Sequence, residues 1–275
     1  MARFRIHRFA VAALSIVLAA HAEAPLAKKS GLKLRMIAGR PVVDNVFLNG
    51  NGPYLFLLDT GGETNQVDVN LARKLGLGAA FQVELVTSAG VRRVPGGKVE
   101  RVSLGPSEAS GQEFLFASLD GVHELSSDIS GILGQEFLAH FDYTLDFRNR
   151  QLVFDEAPPD WDRVPVRVLH QRMLVPTNQG ELVLDSGTAV LTLFREASTP
   201  RAATILGSSG LAAMVSVGLA PDLIIAGHRY RPANAAFGLS SPGAEGLLPA
   251  SLLQAVFISN AERYVALEPK RGDRR

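Results

Sequence analysis

The feature that most constrains the fold is an internal repeat of a short motif. The segment "NGPYLFLLDTGG", which contains Asp59, aligns with "TNQGELVLDSGT", which contains Asp185. In both copies a polar turn leads into an aliphatic strand that ends in Asp, a small hydroxyl residue and Gly. A second pair follows in the same order, with "GILGQEFLAHF" beginning at Gly131 and "GLLPASLLQAV" at Gly246. Two ordered matches predict a chain built from two equivalent halves.

The pattern of apolar residues predicts a mainly β protein. Short aliphatic runs such as "RPVVDNVFL", "KVERVSL" and "DLIIAG" are separated by Gly, Asn and Pro, which is typical of strands joined by turns. Helical signals are few and short. They lie in "DVNLARKLG", with Asp68 as N-cap and Gly76 in the C′ position, in "GQEFLAHF", and in "PASLLQAV", where Pro249 suits a first helical turn.

The segment "FDEAPPDWDRVP" interrupts this pattern with prolines and acidic residues, which favours a connection between the halves. We therefore predict an N-terminal lobe over residues 32–155, a connection over 156–165 and a C-terminal lobe over 166–268. Trp161 within the connection is predicted to pack between the lobes.

The first residues have the layout of a signal peptide. Arg3, Arg5 and Arg8 precede the apolar run "FAVAALSIVLAA" and a small-x-small triplet that ends at Ala22. The run is shorter than the roughly 20 residues that a membrane-spanning helix needs. We predict that residues 1–22 direct export to the periplasm or to the medium, with membrane association only if the segment stays uncleaved.

Composition excludes several classes of function. The formal net charge of +1 gives no basic surface for nucleic acid, and the absence of cysteine excludes a thiol nucleophile. The histidines show no zinc-binding spacing, and no dinucleotide fingerprint or Gly-x-Ser-x-Gly elbow occurs. We expect no metal and no cofactor.

The repeated aspartates predict a shared catalytic site. An approximate two-fold axis between the halves would bring Asp59 and Asp185 together, and neighbouring carboxylates share one proton. The ionised carboxylate takes a proton from water while the protonated one donates to a carbonyl oxygen, which permits hydrolysis without a metal or a covalent intermediate. Thr60 and Ser186 offer hydroxyls to the backbone of the opposite loop, and the glycines that follow them let backbone N–H groups approach the carboxylates.

These motifs resemble the pepsin and retropepsin superfamily of aspartic proteases, in the form with both Asp-Thr/Ser-Gly copies in one chain. The resemblance rests on "LLDTG" with "GILG" and on "VLDSGT" with "GLLP", and it extends over residues 32–268. It implies a bilobal, pepsin-like double-ψ β-barrel fold with two pseudo-two-fold-related lobes. It also implies that Ile132-Leu133-Gly134 and Leu247-Leu248-Pro249 pass behind the active-site loops. The predicted dyad-bracing residues are Thr60, Gly61, Ser186, Gly187 and Thr188.

The chain departs from the family pattern at two places. Gly62 stands where the family usually has Ala, Ser or Thr, whereas Thr188 is expected to supply a hydroxyl to Asp185 in the second copy. The first-lobe hairpin "VELVTSAGVRRVPGGKVERV" has no tyrosine for a flap, so "TSAG" or "PGG" is expected to form its tip. The predicted substrate-binding flap residues are Ser88, Ala89 and Gly90, and the second lobe has a similar turn over 208–210.

These features predict a monomeric aspartic endopeptidase that acts on an extended peptide or protein substrate, with Asp59 and Asp185 as catalytic residues. The alternative hypothesis is a protease-like scaffold that binds peptides or a partner protein with little turnover, because Gly62 and the tyrosine-free flap weaken catalysis. A glycosidase with paired carboxylates is disfavoured, since its acids need not lie on equivalent Asp-Thr/Ser-Gly turns.

Overall fold

The computed structural model describes residues 31–87, 90–197, 201–206, 212–238 and 242–268. The predicted signal segment 1–22 lies outside these residues, and export stays a prediction. Within the described part of the chain, no helix is both long and apolar enough to cross a bilayer.

The chain folds into short strands with few helices. In its first part these are β1 (Leu32–Lys33), β2 (Arg35–Ile37), β3 (Arg40–Leu48), β4 (Asn51–Leu58), β5 (Asn65–Asp68), α1 (Val69–Lys74), β6 (Phe81–Thr87), β7 (Gly90–Leu104), β8 (Ser107–Ala117), α2 (Asp120–His123), β9 (Ile129–Leu133), α3 (Gln135–Leu138), β10 (Tyr143–Asp146) and β11 (Gln151–Phe154). In its second part they are β12 (Asp162–Pro165), β13 (Arg167–Leu169), β14 (Arg172–Thr177), β15 (Gly180–Asp185), β16 (Leu191–Leu193), β17 (Arg201–Leu206), β18 (Ala212–Leu219), β19 (Leu223–Ile225), β20 (His228–Tyr230), β21 (Asn234–Phe237), β22 (Gly246–Pro249), a 3-10 turn (Ala250–Leu252), β23 (Ala255–Ser259) and β24 (Tyr264–Leu267).

Two eight-stranded sheets repeat one strand order. The first is β2-β3-β4-β9-β5-β8-β7-β6, and the second is β13-β14-β15-β22-β16-β21-β18-β17. Pairing directions agree as well, since β4 runs parallel to β9 as β15 does to β22. Likewise β5 runs parallel to β8 and antiparallel to β9, as β16 does to β21 and β22. The repeat in the sequence is therefore also a repeat of topology.

A six-stranded sheet, β1-β11-β10-β23-β24-β12, joins the two parts of the chain. Its central pair, β10 and β23, is antiparallel, and each strand is followed by its hairpin partner, β11 or β24. β12 lies within the predicted connection and occupies the edge opposite β1. Trp161 packs against Phe257, Tyr264 and Ala266 of this sheet. The predicted connection thus contains a strand that has its counterpart in β1.

Two of the three helix predictions are confirmed. Asp68 caps α1 by accepting hydrogen bonds from the N–H groups of Asn70 and Leu71, and Gly76 follows with φ of +66°. α3 lies within "GQEFLAHF". The helix predicted over "PASLLQAV" is wrong, because only a 3-10 turn forms and Leu253 is already extended. The residues from Ala255 onwards instead pair with β10 and β24 in the joining sheet.

The repeated glycines of β9 and β22, Gly131 and Gly246, permit close packing behind the aspartate strands. A Cβ on Gly131 would lie 2.1 Å from Cε1 of Phe56, a fully buried residue of β4. A Cβ on Gly246 would lie 2.1 Å from the carbonyl oxygen of Thr192. Neither approach leaves room for a side chain, which explains why both motif copies carry glycine at this position.

Candidate active site

The two aspartates lie at equivalent places in the two eight-stranded sheets. Asp59 directly follows β4, and its backbone N–H donates to the carbonyl of Leu133 at 2.9 Å. Asp185 ends β15 and lies beside Pro249 in the parallel neighbour β22. β9 and β22, which contain the predicted crossing residues, are thus the direct neighbours of the aspartate strands. Each carboxylate is carried by a rigid strand end.

Four hydrogen bonds cross between the two loops. The Thr60 hydroxyl donates to the carbonyl of Leu184 at 2.7 Å and accepts from the backbone N–H of Ser186 at 3.0 Å. The Ser186 hydroxyl donates to the carbonyl of Leu58 at 2.7 Å and accepts from the backbone N–H of Thr60 at 3.0 Å. Both hydroxyl side chains are only 1% exposed, so water does not compete for these bonds. The bonds form a reciprocal clamp that holds the loops together.

The glycines after Thr60 and Ser186 each pack against the opposite aspartate. A Cβ on Gly61 would lie 2.4 Å from Cγ of Asp185, and a Cβ on Gly187 would lie 2.6 Å from Cγ of Asp59. Since real Cβ atoms do not approach so closely, only glycine lets the loops meet. The two carboxylates therefore lie side by side.

The environment of the carboxylates favours a shared proton. Asp59 and Asp185 are 4% and 7% exposed, and the glycine of each loop packs against the carboxylate of the other. Burial raises the pKa of Asp185 well above its usual range, and the neighbouring Asp59 raises it further. Backbone N–H groups of Gly187 and Thr188 act against this rise. A pair of this kind carries an acid and a base at the same pH.

Comparison with known proteins points to one fold. Residues 45–137 match the profile of the aspartyl protease family. The crystal structure of basic 7S globulin from soybean aligns with 86% of this chain and 94% of its own, at 13% identity and a TM-score of 0.51. Residues 45–137 therefore resemble aspartyl proteases, and the chain as a whole shares the fold of the soybean globulin.

A second solved structure matches a smaller part of the chain. The retropepsin-like aspartic protease from Rickettsia conorii aligns with 45% of this chain and 87% of its own, at 18% identity and a TM-score of 0.33. A search of curated proteins finds no significant match. The likeness to aspartic proteases therefore rests on the family profile over residues 45–137, and the likeness of the whole fold rests on the longer structural alignment.

One predicted contact of this aspartic protease fold is wrong. The Thr188 hydroxyl donates to the carbonyl of Val190 at 3.2 Å instead of bonding Asp185. The carboxylate of Asp185 accepts from the Thr188 backbone N–H at 3.0 Å, because the loop turns the amide towards the carboxylate and the hydroxyl towards the following turn. In the first loop the N–H of Gly61 donates to Asp59 at 3.0 Å. In both loops, therefore, a backbone N–H group donates a hydrogen bond to the carboxylate.

The predicted flap corresponds to the β6–β7 hairpin. Ser88 and Ala89 lie outside the described residues, and Gly90 begins β7 opposite Thr87. The alternative tip "PGG" lies inside β7, where Gly96 pairs with both β6 and β8. The alternative prediction of a tip at "PGG" is therefore wrong. The turn over 208–210 in the second half also lies outside the described residues.

Three polar contacts to the loops were not predicted from the sequence. The Gln135 side chain donates to the carbonyl of Thr60 at 2.7 Å from the start of α3. Arg40 donates from Nε to the carbonyl of Gly187 at 2.7 Å, and Arg172 forms an ion pair with Glu63 at 3.0 Å. A search for repeats that extended upstream to β3 and β14 would have aligned the two arginines. The same search would not have found Gln135, because the residue at the equivalent position after β22 is Ala250.

Proposed function

We propose that the protein is an aspartic endopeptidase that hydrolyses peptide bonds with a water activated by Asp59 and Asp185. The observation that carries the proposal is that two buried carboxylates lie side by side where two equivalent loops meet. The match of residues 45–137 to the aspartyl protease profile supports the same reaction class. We also propose, from the leader predicted over residues 1–22, that the enzyme acts outside the cytoplasm.

The reaction needs only the dyad and a water. The ionised carboxylate takes a proton from water as the water oxygen bonds to the peptide carbon, and the protonated carboxyl gives its proton to the carbonyl oxygen. In the second step the C–N bond breaks while one carboxyl protonates the leaving nitrogen and the other takes a proton from the hydroxyl. The dyad again holds one proton, so it is ready for another cycle.

The loop clamp makes this exchange of protons efficient. Because four crossing hydrogen bonds and two glycine contacts fix the carboxylates, neither has to reorganise between steps. Burial keeps the shared proton on the pair at mildly acidic pH, since desolvation disfavours a second negative charge.

The test is cleavage of a peptide library from about pH 3 to about pH 8 by the wild type and by Asp59→Asn and Asp185→Asn, with and without pepstatin. We expect pepstatin-sensitive cleavage within an acidic window and a loss of at least about a thousandfold in each variant. Absence of wild-type cleavage at every pH would overturn the proposal. Both variants retain the shape of the side chain, so both should stay folded. A folded but inactive variant shows that the lost carboxylate, and not unfolding, abolishes cleavage.

A second candidate function is a peptide-binding scaffold with little turnover. The observation that favours it concerns the third residue after each aspartate, since Gly62 has no hydroxyl and the Thr188 hydroxyl donates to the carbonyl of Val190. Peptide binding that persists in both Asp→Asn variants, without wild-type cleavage, is the result that this candidate requires.

A further inference from the structure

Two arginines occupy equivalent turns at the edge of the candidate active site. Arg40 begins β3 after a tight turn formed by Ala38 and Gly39, and Arg172 begins β14 after the equivalent turn. Both central residues of each turn have positive φ, +47° and +80° in the first and +49° and +62° in the second. The register is the same, with the arginine opposite the last residue of the preceding strand. The turns thus present the two arginines in equivalent positions.

Each arginine reaches the active-site loop of the other half, but only one finds a counter-ion there. Arg172 pairs with Glu63, the fourth residue after Asp59, at 3.0 Å. The fourth residue after Asp185 is Ala189, and a Cβ on Gly39 would lie 3.0 Å from its Cβ. The second loop therefore has a methyl group, near Gly39, at the position where the first loop has the carboxylate that pairs with Arg172.

Arg40 keeps its full charge beside the dyad. Its Nε donates to the Gly187 carbonyl at 2.7 Å and its Nη1 to the Ala38 carbonyl at 3.2 Å, and both acceptors are neutral. Among the residues that the structure describes, no carboxylate forms a salt bridge with it. Burial lowers the pKa of Arg40, while the carboxylates of Asp185 and, more weakly, Asp59 raise it. The carboxylates therefore stabilise the charged guanidinium, and since the attraction is mutual, the guanidinium favours their ionised forms.

We propose that Arg40 is a positioning residue for the dyad. Its positive charge is not neutralised by a salt bridge, and it keeps one carboxylate of the dyad ionised down to a more acidic pH. The inference rests on the proposed function for its catalytic meaning. Glu63 and Arg172 pair with each other, and the carboxylate of Glu136 in α3 accepts from the backbone N–H of Glu113. The strands behind the loops, β9 and β22, carry no charged residue, and α3 contributes neutral Gln135 to Thr60.

The sign of the effect follows from electrostatics. A positive charge near two carboxylates favours their ionised forms, so it lowers both apparent pKa values of the pair. The range in which the dyad holds one proton then lies at lower pH. Loss of the charge should move this range to higher pH by about one unit.

The experiment is a carboxyl carbon-13 NMR titration of aspartate-labelled protein, with the dyad signals assigned from their loss in Asp59→Asn and Asp185→Asn. Arg40→Gln should raise the apparent pKa values by about one unit, and Arg40→Lys should stay close to the wild type. Ala189→Glu leaves Arg40 in place and adds the missing counter-ion, so it should shift the titration in the same direction as Arg40→Gln. The double variant Glu63→Gln with Arg172→Gln removes a neutral pair and is the matched control, with the wild-type titration expected.

Two outcomes would overturn the inference. One is a wild-type titration in both Arg40→Gln and Ala189→Glu, and the other is an equal shift in Arg40→Lys and Arg40→Gln, which would assign the effect to the lost Nε hydrogen bond. The pH profile of peptide cleavage should move with the titration. If no variant and no wild type cleaves peptide, the proposed function fails while the titration still decides the role of Arg40.

Discussion

The two active-site loops are alike in what holds them and different in what surrounds them. The loop after Asp59 and the loop after Asp185 exchange the same four hydrogen bonds at nearly the same distances. The loops differ from the third residue after each aspartate onwards. The first loop has Gly62 and Glu63 there, and the second has Thr188 and Ala189. The comparison separates two tasks, because the shared part places the carboxylates and the divergent part determines their charge environment.

The strongest test of the shared part is Gly61→Ala, with Gly187→Ala as its counterpart. A Cβ at either position would overlap the opposite aspartate, so the loops must separate. A displacement of about 1 Å at a reacting group costs about a hundredfold in rate, and we expect at least that loss of kcat/KM in both variants.

Gly62→Ala is the graded control for these variants. Its Cβ would lie 3.1 Å from Cγ of Asp59, a tight contact that a small shift relieves. We expect a smaller loss of activity than with Gly61→Ala, measured by peptide cleavage at the optimal pH. Equal losses at Gly61 and Gly62 would show that the contact between the loops is not what requires glycine.

The next effect concerns the crossing hydrogen bonds. Thr60→Val keeps the shape of the side chain but leaves the N–H of Ser186 and the carbonyl of Leu184 without their partner. Since unsatisfied buried groups cost about 1–3 kcal/mol each, we expect a loss of about 3 kcal/mol in the free energy of unfolding. Urea denaturation measures it, and Thr60→Ser, which keeps the hydroxyl, is the control.

Ser186→Ala should cost a similar amount if the loops are equivalent. Because both hydroxyls belong to one clamp, the double variant should lose less than the sum of the two single losses. Strictly additive losses would show that the four bonds act independently and that the clamp is not a unit.

The sequence predicts the shared part and the difference between Gly62 and Thr188, but not the contacts of the divergent part, for a physical reason. Asp59 and Asp185 were predicted as a pair because each ends a strand whose local pattern is repeated. Arg40 contacts Gly187 across a long stretch of chain, and no local pattern encodes which loop a distant turn will approach. The hydroxyl of Thr188 was assigned to Asp185 by resemblance, but the local turn offered it the Val190 carbonyl instead.

The same reasoning explains the wrong helix after β22. "PASLLQAV" has apolar residues at helical spacing, but Ala255–Ser259 is the strand that pairs with β10 in the joining sheet. Long-range strand pairing overrode the local preference. The first-half counterpart, α3, forms because β10 begins later, at Tyr143.

A smaller effect tests how far the carboxylates share one proton. Burial raises the pKa of Asp185 in the folded protein well above the usual value for an aspartate. The stabilisation from its protonated form is complete below that value and is lost as pH rises through the folded-state pKa. Asp185→Asn stays neutral, so its stability should rise relative to that of the wild type as the pH increases above about 4.

Urea denaturation at several pH values measures this gain, and exposed Asp120→Asn is the control for a lost carboxylate. Asp59→Asn should give a gain of the same sign, because each carboxylate raises the cost of ionising the other. A constant difference between Asp185→Asn and the wild type at every pH would show that Asp185 is not held protonated by its surroundings.

The smallest effect concerns an element that follows β5 in the first half. α1 begins at Asp68, whose carboxylate accepts from the N–H groups of Asn70 and Leu71 at 2.8 and 3.3 Å. Asp68→Ala should lower the free energy of unfolding by about 1 kcal/mol through loss of this cap, whereas Asp68→Asn, which keeps an acceptor, should lose only part of it. Urea denaturation measures the loss, and kcat/KM should stay unchanged, because α1 does not contact either active-site loop through this cap. A matching fall in kcat/KM would mean that the asymmetry between the halves reaches the dyad through the helix as well as through Arg40.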